Sequence, residues 1–222
     1  MQEFRLIIEK DHLFIDIDGR NWLLDTGAPR SFGVCDLEID GQSFSIHTNY
    51  MGLTADQLSE FVGYKTAGII GADVLNQFDV VIDTFNAQIS FSLEEIHLDG
   101  EVLSLTHFMG IPIIKVSIND IDSPMFFDTG AQISYYHNDS LKLFPSLGHI
   151  TDFFPGIGQF QTETYQVNVQ LGNSTYDLSC GSLPELLGMT LKMAGVDGII
   201  GNAVLKSHVV GYFARRQIVV LA

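Results

Sequence analysis

Short apolar–polar alternations closed by turn residues run through most of the chain. Leu13-Phe14-Ile15-Asp16-Ile17 is followed by Asp18-Gly19 and then by Trp22-Leu23-Leu24, which predicts a hairpin. Ile113 to Ile118 and Met125 to Phe127 repeat that plan around Asn119-Asp120. Leu37 to Phe44, with Asp40-Gly41 at its centre, and Val167 to Asn173 each read as a further strand–turn–strand unit. Helical signals are short: Ala55 to Val62, Leu183 to Leu187, and a few residues after each of two Gly-Ile-Ile-Gly segments. The expectation is an all-β chain with short helices.

The pattern is written twice. Asp25-Thr26-Gly27-Ala28 recurs as Asp128-Thr129-Gly130-Ala131, and Gly68-Ile69-Ile70-Gly71 recurs as Gly198-Ile199-Ile200-Gly201. An apolar triplet precedes each tetrad, Trp22-Leu23-Leu24 and Met125-Phe126-Phe127, and Val74-Leu75 and Val204-Leu205 follow the second motif at one offset. The tetrads lie 103 positions apart (25 to 128) and the glycine-bracketed pairs 130 (68 to 198), so the second half holds 27 more residues between its motifs. That surplus has the size of a β-hairpin. Two units follow, residues 1–100 and 101–222, with the boundary near Leu98-Asp99-Gly100-Glu101 and no long Pro/Gly/Ser linker.

Composition narrows the function. The 222 residues are 46% hydrophobic and 17% charged, as expected of a globular protein. A net charge of −16 opposes binding to phosphate backbones and anionic lipid, so neither nucleic acid nor membrane is an expected partner. No apolar stretch approaches the roughly 18 residues needed to cross a bilayer, and Leu6-Ile7-Ile8 is too short for a signal-peptide core. Only Cys35 and Cys180 are present, which argues against a disulfide framework and points to a cytoplasmic protein.

The two tetrads carry the chemistry. Carboxylates brought together in a partly dry site cannot both ionise, so one proton is shared. The ionised member then acts as general base on a water, and the protonated member donates to the carbonyl oxygen under attack. The apolar triplets supply buried strands that fix each aspartate, Gly27 and Gly130 permit a sharp turn, and Thr26 and Thr129 offer hydroxyls able to tie one loop to the other. The glycine-bracketed pairs can pass close beneath those loops. No cofactor and no metal is required. The seven histidines show no metal-ligand spacing.

Paired Asp-Thr-Gly-Ala motifs, each followed by an apolar-apolar-Gly motif and a helix signal, resemble the pepsin and retropepsin superfamily of aspartic proteases. The resemblance covers nearly the whole chain, each half being similar to one retropepsin subunit. It implies a bilobal pepsin-like acid protease fold, two retropepsin-like β-barrel lobes with the active site between them. It also implies catalytic roles for Asp25 and Asp128, cross-bracing by Thr26 and Thr129, and a β-hairpin flap over the substrate. Ala28 and Ala131 match retropepsins better than pepsins. Phe32 to Leu37 runs almost directly from the first tetrad into a strand, so the N-terminal half is expected to lack a flap. The single flap is placed in the second half, with Phe154, Pro155, Gly156, Ile157, Gly158 and Phe160 forming its tip and apolar underside. The flap tyrosine familiar from pepsins has no clear counterpart.

The sheet joining the lobes is expected to draw on Phe4 to Ile8, Ile89 to Leu93, Val102 to Leu105 and Gln217 to Leu221. Asp83 follows an apolar run but precedes Thr84-Phe85, and reads as a strand-end structural acid. Asp18, Asp40 and Asp120 read as turn formers. Neither cysteine has a nearby base, and Gly156-Ile157-Gly158 lacks the helix of a nucleotide loop. The reading is a monomeric aspartic endopeptidase acting on an extended peptide or unfolded protein. The alternatives are a non-catalytic peptide-binding module on the same scaffold, and a processing enzyme confined to one protein.

Overall fold

The computed structural model describes residues 1–155 and 157–222. Each half opens with a hairpin whose outer strand has a double allegiance. Gln2–Glu9 pairs at its start with Gln88–Ser92 and at its end with His12–Ile17. Glu101–Phe108 pairs at its start with Ile218–Leu221 and at its end with Ile111–Ile118. A strand that twists along its length can leave one sheet and enter another, and both halves use this device to join their own sheet to a shared one.

The shared sheet is antiparallel. Its order among the described residues is Gln2–Glu9, Gln88–Ser92, Asp79–Asp83, Val210–Phe213, Ile218–Leu221 and Glu101–Phe108. The four segments expected to build it are present, but they form only its outer part. Its centre is Asp79–Asp83 against Val210–Phe213, with Val81 opposite Gly211. These strands were missed because short apolar runs do not reveal whether a strand lies inside or at an edge. Asp83 ends its strand and accepts from the amide N–H and side chain of Asn86, at 2.9 and 2.7 Å, which is the structural role expected of it.

The motifs form the same crossing in each half. Arg20–Leu24 runs parallel to Gly68–Ile70, and Phe32–Gly33 lies antiparallel on the other side of Gly68–Ile70. In the second half Ile121–Phe127 is parallel to Gly198–Ile200, with Ser134–Tyr136 antiparallel beyond it. The loop bearing each aspartate therefore arches over an inserted strand. A Cβ on Gly68 or Gly198 would sit 2.0 Å from the carbonyl oxygen of Phe32 or Tyr135, so only glycine allows this passage.

Helix Ala55–Val62 begins at Thr54, whose hydroxyl forms a capping box with Gln57, and ends at Gly63 in the left-handed conformation. Its Leu58 and Val62 pack with Phe14, Phe32 and Ile69. The corresponding helix of the second half is Glu185–Ala194, longer and later than the expected Leu183 to Leu187. Gly188 concealed its extent, because glycine in a helix interior is locally unfavourable. Here it lies against the His137 ring, which a Cβ would meet at 2.3 Å. The segments after the Gly-Ile-Ile-Gly motifs are the short helix Ala72–Leu75 and the 3₁₀ turn Asn202–Lys206.

The surplus residues of the second half form long strands. Ser146–Phe154 and Gly158–Leu171 make a hairpin, and Gly158–Leu171 continues against Ser174–Gly181. The first half has small hairpins instead, Leu37–Ile39 with Gln42–Phe44 and Asn49–Tyr50 with Leu53–Thr54.

Candidate active site

Asp25 and Asp128 stand at the ends of two buried strands, and the structure brings them face to face. Each amide is fixed from below: Asp25 N–H donates to Ile70 O at 3.1 Å and Asp128 N–H to Ile200 O at 2.9 Å. Each carboxylate is fixed by its own loop. Asp25 Oδ1 accepts from Ala28 N at 2.8 Å, and Asp128 Oδ1 accepts from Gly130 N at 2.9 Å and Ala131 N at 3.2 Å. A Cβ built on Gly27 would lie 2.2 Å from Asp128 Oδ2, and one on Gly130 would lie 2.5 Å from Asp25 Cγ. Any larger residue at either glycine would drive the carboxyls apart.

Beneath the pair the two loops are joined by reciprocal bonds. Thr26 N donates to Thr129 Oγ1 at 3.0 Å, and Thr129 N donates to Thr26 Oγ1 at 3.0 Å. Each hydroxyl then donates to the opposite strand, Thr26 Oγ1 to Phe127 O at 2.6 Å and Thr129 Oγ1 to Leu24 O at 2.9 Å. Both threonines are fully buried. The fourth tetrad residues complete the loops: Ala28 O accepts from Ala72 N at 2.8 Å and Ala131 O from Asn202 N at 2.9 Å.

The carboxyls open only onto the cleft, with protein packed behind them. Burial, reinforced by the charge of Asp128 and a hydrogen bond with it, raises Asp25 well above the usual carboxylate range. Asp128 is also raised, first by burial, against the opposing effect of hydrogen bonds from Asp25, Gly130 and Ala131. The pair titrates as a unit and retains one proton where an ordinary aspartate has lost it. Both rest on the floor of a cavity of 420 Å³ with largely apolar walls. Among the described residues no group of three or more His, Cys, Asp or Glu side chains is arranged to hold a metal ion. Cys180 is buried, and burial pushes its thiol up to about 12, which removes it as a nucleophile.

The hairpin of the second half reaches this cavity. Phe154, Pro155, Ile157 and Phe160 line it, as does Phe153. Gly158 starts the return strand with φ +86° and is not part of the wall, and Gly156 lies outside the described residues. The hairpin touches both halves. The Phe153 ring lies 5.0 Å from that of Phe61, on the helix of the first half, whereas Phe154 and Phe160 pack with Leu183, Leu187 and Phe126 of the second. From the first half the small hairpin at Tyr50 and Met51 also reaches the cavity, an element the sequence pattern did not single out.

Other site residues carried no recognised motif. Ser31 and Ser134 each stand six positions after their aspartate, and their hydroxyls accept from Gly71 N at 2.9 Å and Gly201 N at 3.1 Å. That shared offset was the signal available for them. His12 is buried in the cavity wall, with Nδ1 3.2 Å from Gly130 O. Burial lowers its pKa and favours the neutral ring, which then donates from Nδ1. Tyr135 donates its hydroxyl to Asp152 on the hairpin, and both line the cavity.

No protein-family model matches the sequence, and no curated protein is significantly similar to it. Among solved structures the chain resembles basic 7S globulin from soybean, with a TM-score of 0.55 and 10% identity over 99% of this chain and 94% of that one. At such identity the likeness shows the fold alone. That fold is pepsin-like, with a two-lobed β architecture, as the motifs implied.

Proposed function

We propose that this chain is an aspartic endopeptidase whose nucleophile is a water activated by Asp25 and Asp128. The observation that carries the reading is the convergence of two loop-borne carboxyls, locked by reciprocal threonine bonds, on the floor of a single apolar cavity. One shared proton gives the pair both functions at once. The ionised carboxylate removes a proton from water, and the protonated partner donates to the scissile carbonyl oxygen as charge develops there. On collapse of the tetrahedral species the proton taken from water passes to the leaving amine, while a hydroxyl of that species returns its proton to the other carboxylate, so the dyad again holds one proton.

The substrate fitting this site is an extended peptide. Among the described residues the strand Ser146–Phe154 pairs only with Gly158–Leu171, which leaves its other edge free for main-chain hydrogen bonds from a bound chain. Apolar side chains of the peptide would then fill the cavity.

A non-catalytic peptide-binding module is the competing reading, favoured by a likeness to a protein named as a globulin rather than as a peptidase. Incubation with unfolded casein and a peptide library from about pH 3 to 7 separates the two. Cleavage that disappears in Asp25→Asn and in Asp128→Asn establishes the enzyme. Peptide binding without cleavage by the unaltered protein removes it.

A further inference from the structure

A third carboxylate lines the dyad's cavity from the hairpin. Asp152 sits on Ser146–Phe154, opposite Phe160, and shares the cavity with Asp25 and Asp128. Its Oδ2 accepts the Tyr135 hydroxyl and its Oδ1 accepts from Phe153 N at 2.7 Å. Tyr135 belongs to Ser134–Tyr136, which lies directly against the inserted strand beneath the second tetrad. The bond therefore fastens the hairpin to the strand beside the second tetrad's crossing. Three donors and acceptors in a row, flap backbone to Asp152 to Tyr135, hold the carboxylate at one place.

We propose that Asp152 is a positioning residue of the dyad: it anchors the flap through Tyr135, and its carboxylate acts on the pair from the wall of the same cavity. The inference rests on the dyad reading above but is tested separately from cleavage. The surroundings support the sign. No lysine or arginine lines the cavity among the described residues. His12 faces Asp152 from the first half and is kept toward the neutral form by burial. Asp11, next to it, is paired with Lys206 at 2.8 Å. Tyr50 lines the cavity from the first half, near Asp25 and Arg30. Tyr135 carries no charge, since burial and the neighbouring Asp152 raise its pKa. The charge of Asp152 acts on Asp128 in the same direction as burial, which is the larger effect.

The test compares the unaltered protein with Asp152→Asn and Tyr135→Phe. Asparagine retains an oxygen acceptor for Tyr135 while removing the charge, and phenylalanine removes the tether while retaining the charge. The first readout is the carboxyl ¹³C NMR titration of the dyad, which needs no substrate. In Asp152→Asn the upper titration step should move to lower pH by about half to one unit, with no comparable movement in Tyr135→Phe. With a cleaved peptide, the alkaline limb of kcat/KM should move with it, lowering the rate on that limb about 3- to 10-fold. Tyr135→Phe should instead raise KM with the limbs in place. An unmoved titration step in Asp152→Asn, or an equal movement in Tyr135→Phe, overturns the proposal. A moved step in a protein that cleaves nothing would retain it and remove only the peptidase reading.

Discussion

Thr26 and Thr129 each give an amide proton to the other's hydroxyl at 3.0 Å, so neither loop can shift without breaking both bonds. Replacing one threonine by valine keeps the shape and deletes the hydroxyl. It leaves the opposite loop's amide and a strand carbonyl buried without partners, a cost of about 1–3 kcal/mol for each unpaired group. Thr26→Val and Thr129→Val should therefore lower the urea midpoint with an unchanged slope, whereas Thr26→Ser should stay near the parent. Equal behaviour of the valine and serine variants would show that the hydroxyl does not brace the site.

The dyad also sets a pH dependence of stability. Asp25 is raised in the folded state by burial and by Asp128, so above the ordinary aspartate range the native protein holds a proton that the unfolded chain has released. The unfolded state then binds fewer protons, and stability falls as pH rises through that interval. Asp25→Asn removes the contribution. Relative to the parent, the variant should gain about 0.5–2 kcal/mol at neutral pH, as commonly follows from relieving an unfavourable functional site, and little or nothing near pH 3. Denaturation at both pH values measures the difference. A variant equally displaced at the two would argue against a retained proton.

Much of this site was readable because it depends on local backbone chemistry. Tetrads, glycine-bracketed pairs and apolar triplets fix φ, ψ and burial within a few residues, and such constraints leave a mark in sequence. The hairpin at residues 146–171 was readable as surplus length with a Pro-Gly turn. Asp152 was not, because Thr151-Asp152-Phe153 is ordinary strand alternation and its meaning comes from Tyr135, brought near by sheet register. The centre of the shared sheet was hidden for the same reason: Val80 meets Tyr212 across the two halves, and no local pattern announces a partner so distant in the chain.

Asp79 illustrates the cost of such a hidden contact. It is fully buried at the start of a central strand, and both its oxygens are used. Arg215 reaches Oδ1 at 2.9 Å and Arg216 reaches Oδ2 at 2.5 Å, with Ile96 N also donating to Oδ2 at 2.9 Å. The same arginines hold the carbonyls of Leu93 and Ile96 in the segment joining the halves. Removing one member of a buried ionic cluster leaves the others uncompensated, at a cost of about 3–5 kcal/mol. Asp79→Ala should unfold at markedly lower denaturant and become susceptible to proteolysis between residues 93 and 100, whereas Asp83→Ala, at the half-buried end of the same strand, should change stability far less, by about 1 kcal/mol or below. Comparable losses in the two variants would place the brace elsewhere.

Phe153 and Phe61 give the flap its contact with the opposite half, and their coupling is measurable by itself. Their rings lie 5.0 Å apart, tilted by 32°, within the range where aromatic pairs attract. Since one ring is carried by the hairpin and the other by helix Ala55–Val62, the pair links the two sides of the cleft instead of supporting either side internally. A double-mutant cycle of Phe61→Ala and Phe153→Ala should therefore return a coupling of about 0.5–1.5 kcal/mol. Hydrogen exchange locates its effect: either single variant should expose amides of residues 150–162 to faster exchange while leaving the strands of the shared sheet protected. If substrate must enter beneath the closed hairpin, opening becomes easier and clamping weaker at once. Product release should speed up while KM rises, so kcat/KM falls even where kcat does not. Additive losses in the cycle, or unchanged exchange in the hairpin, would mean that the flap is held by the second half alone.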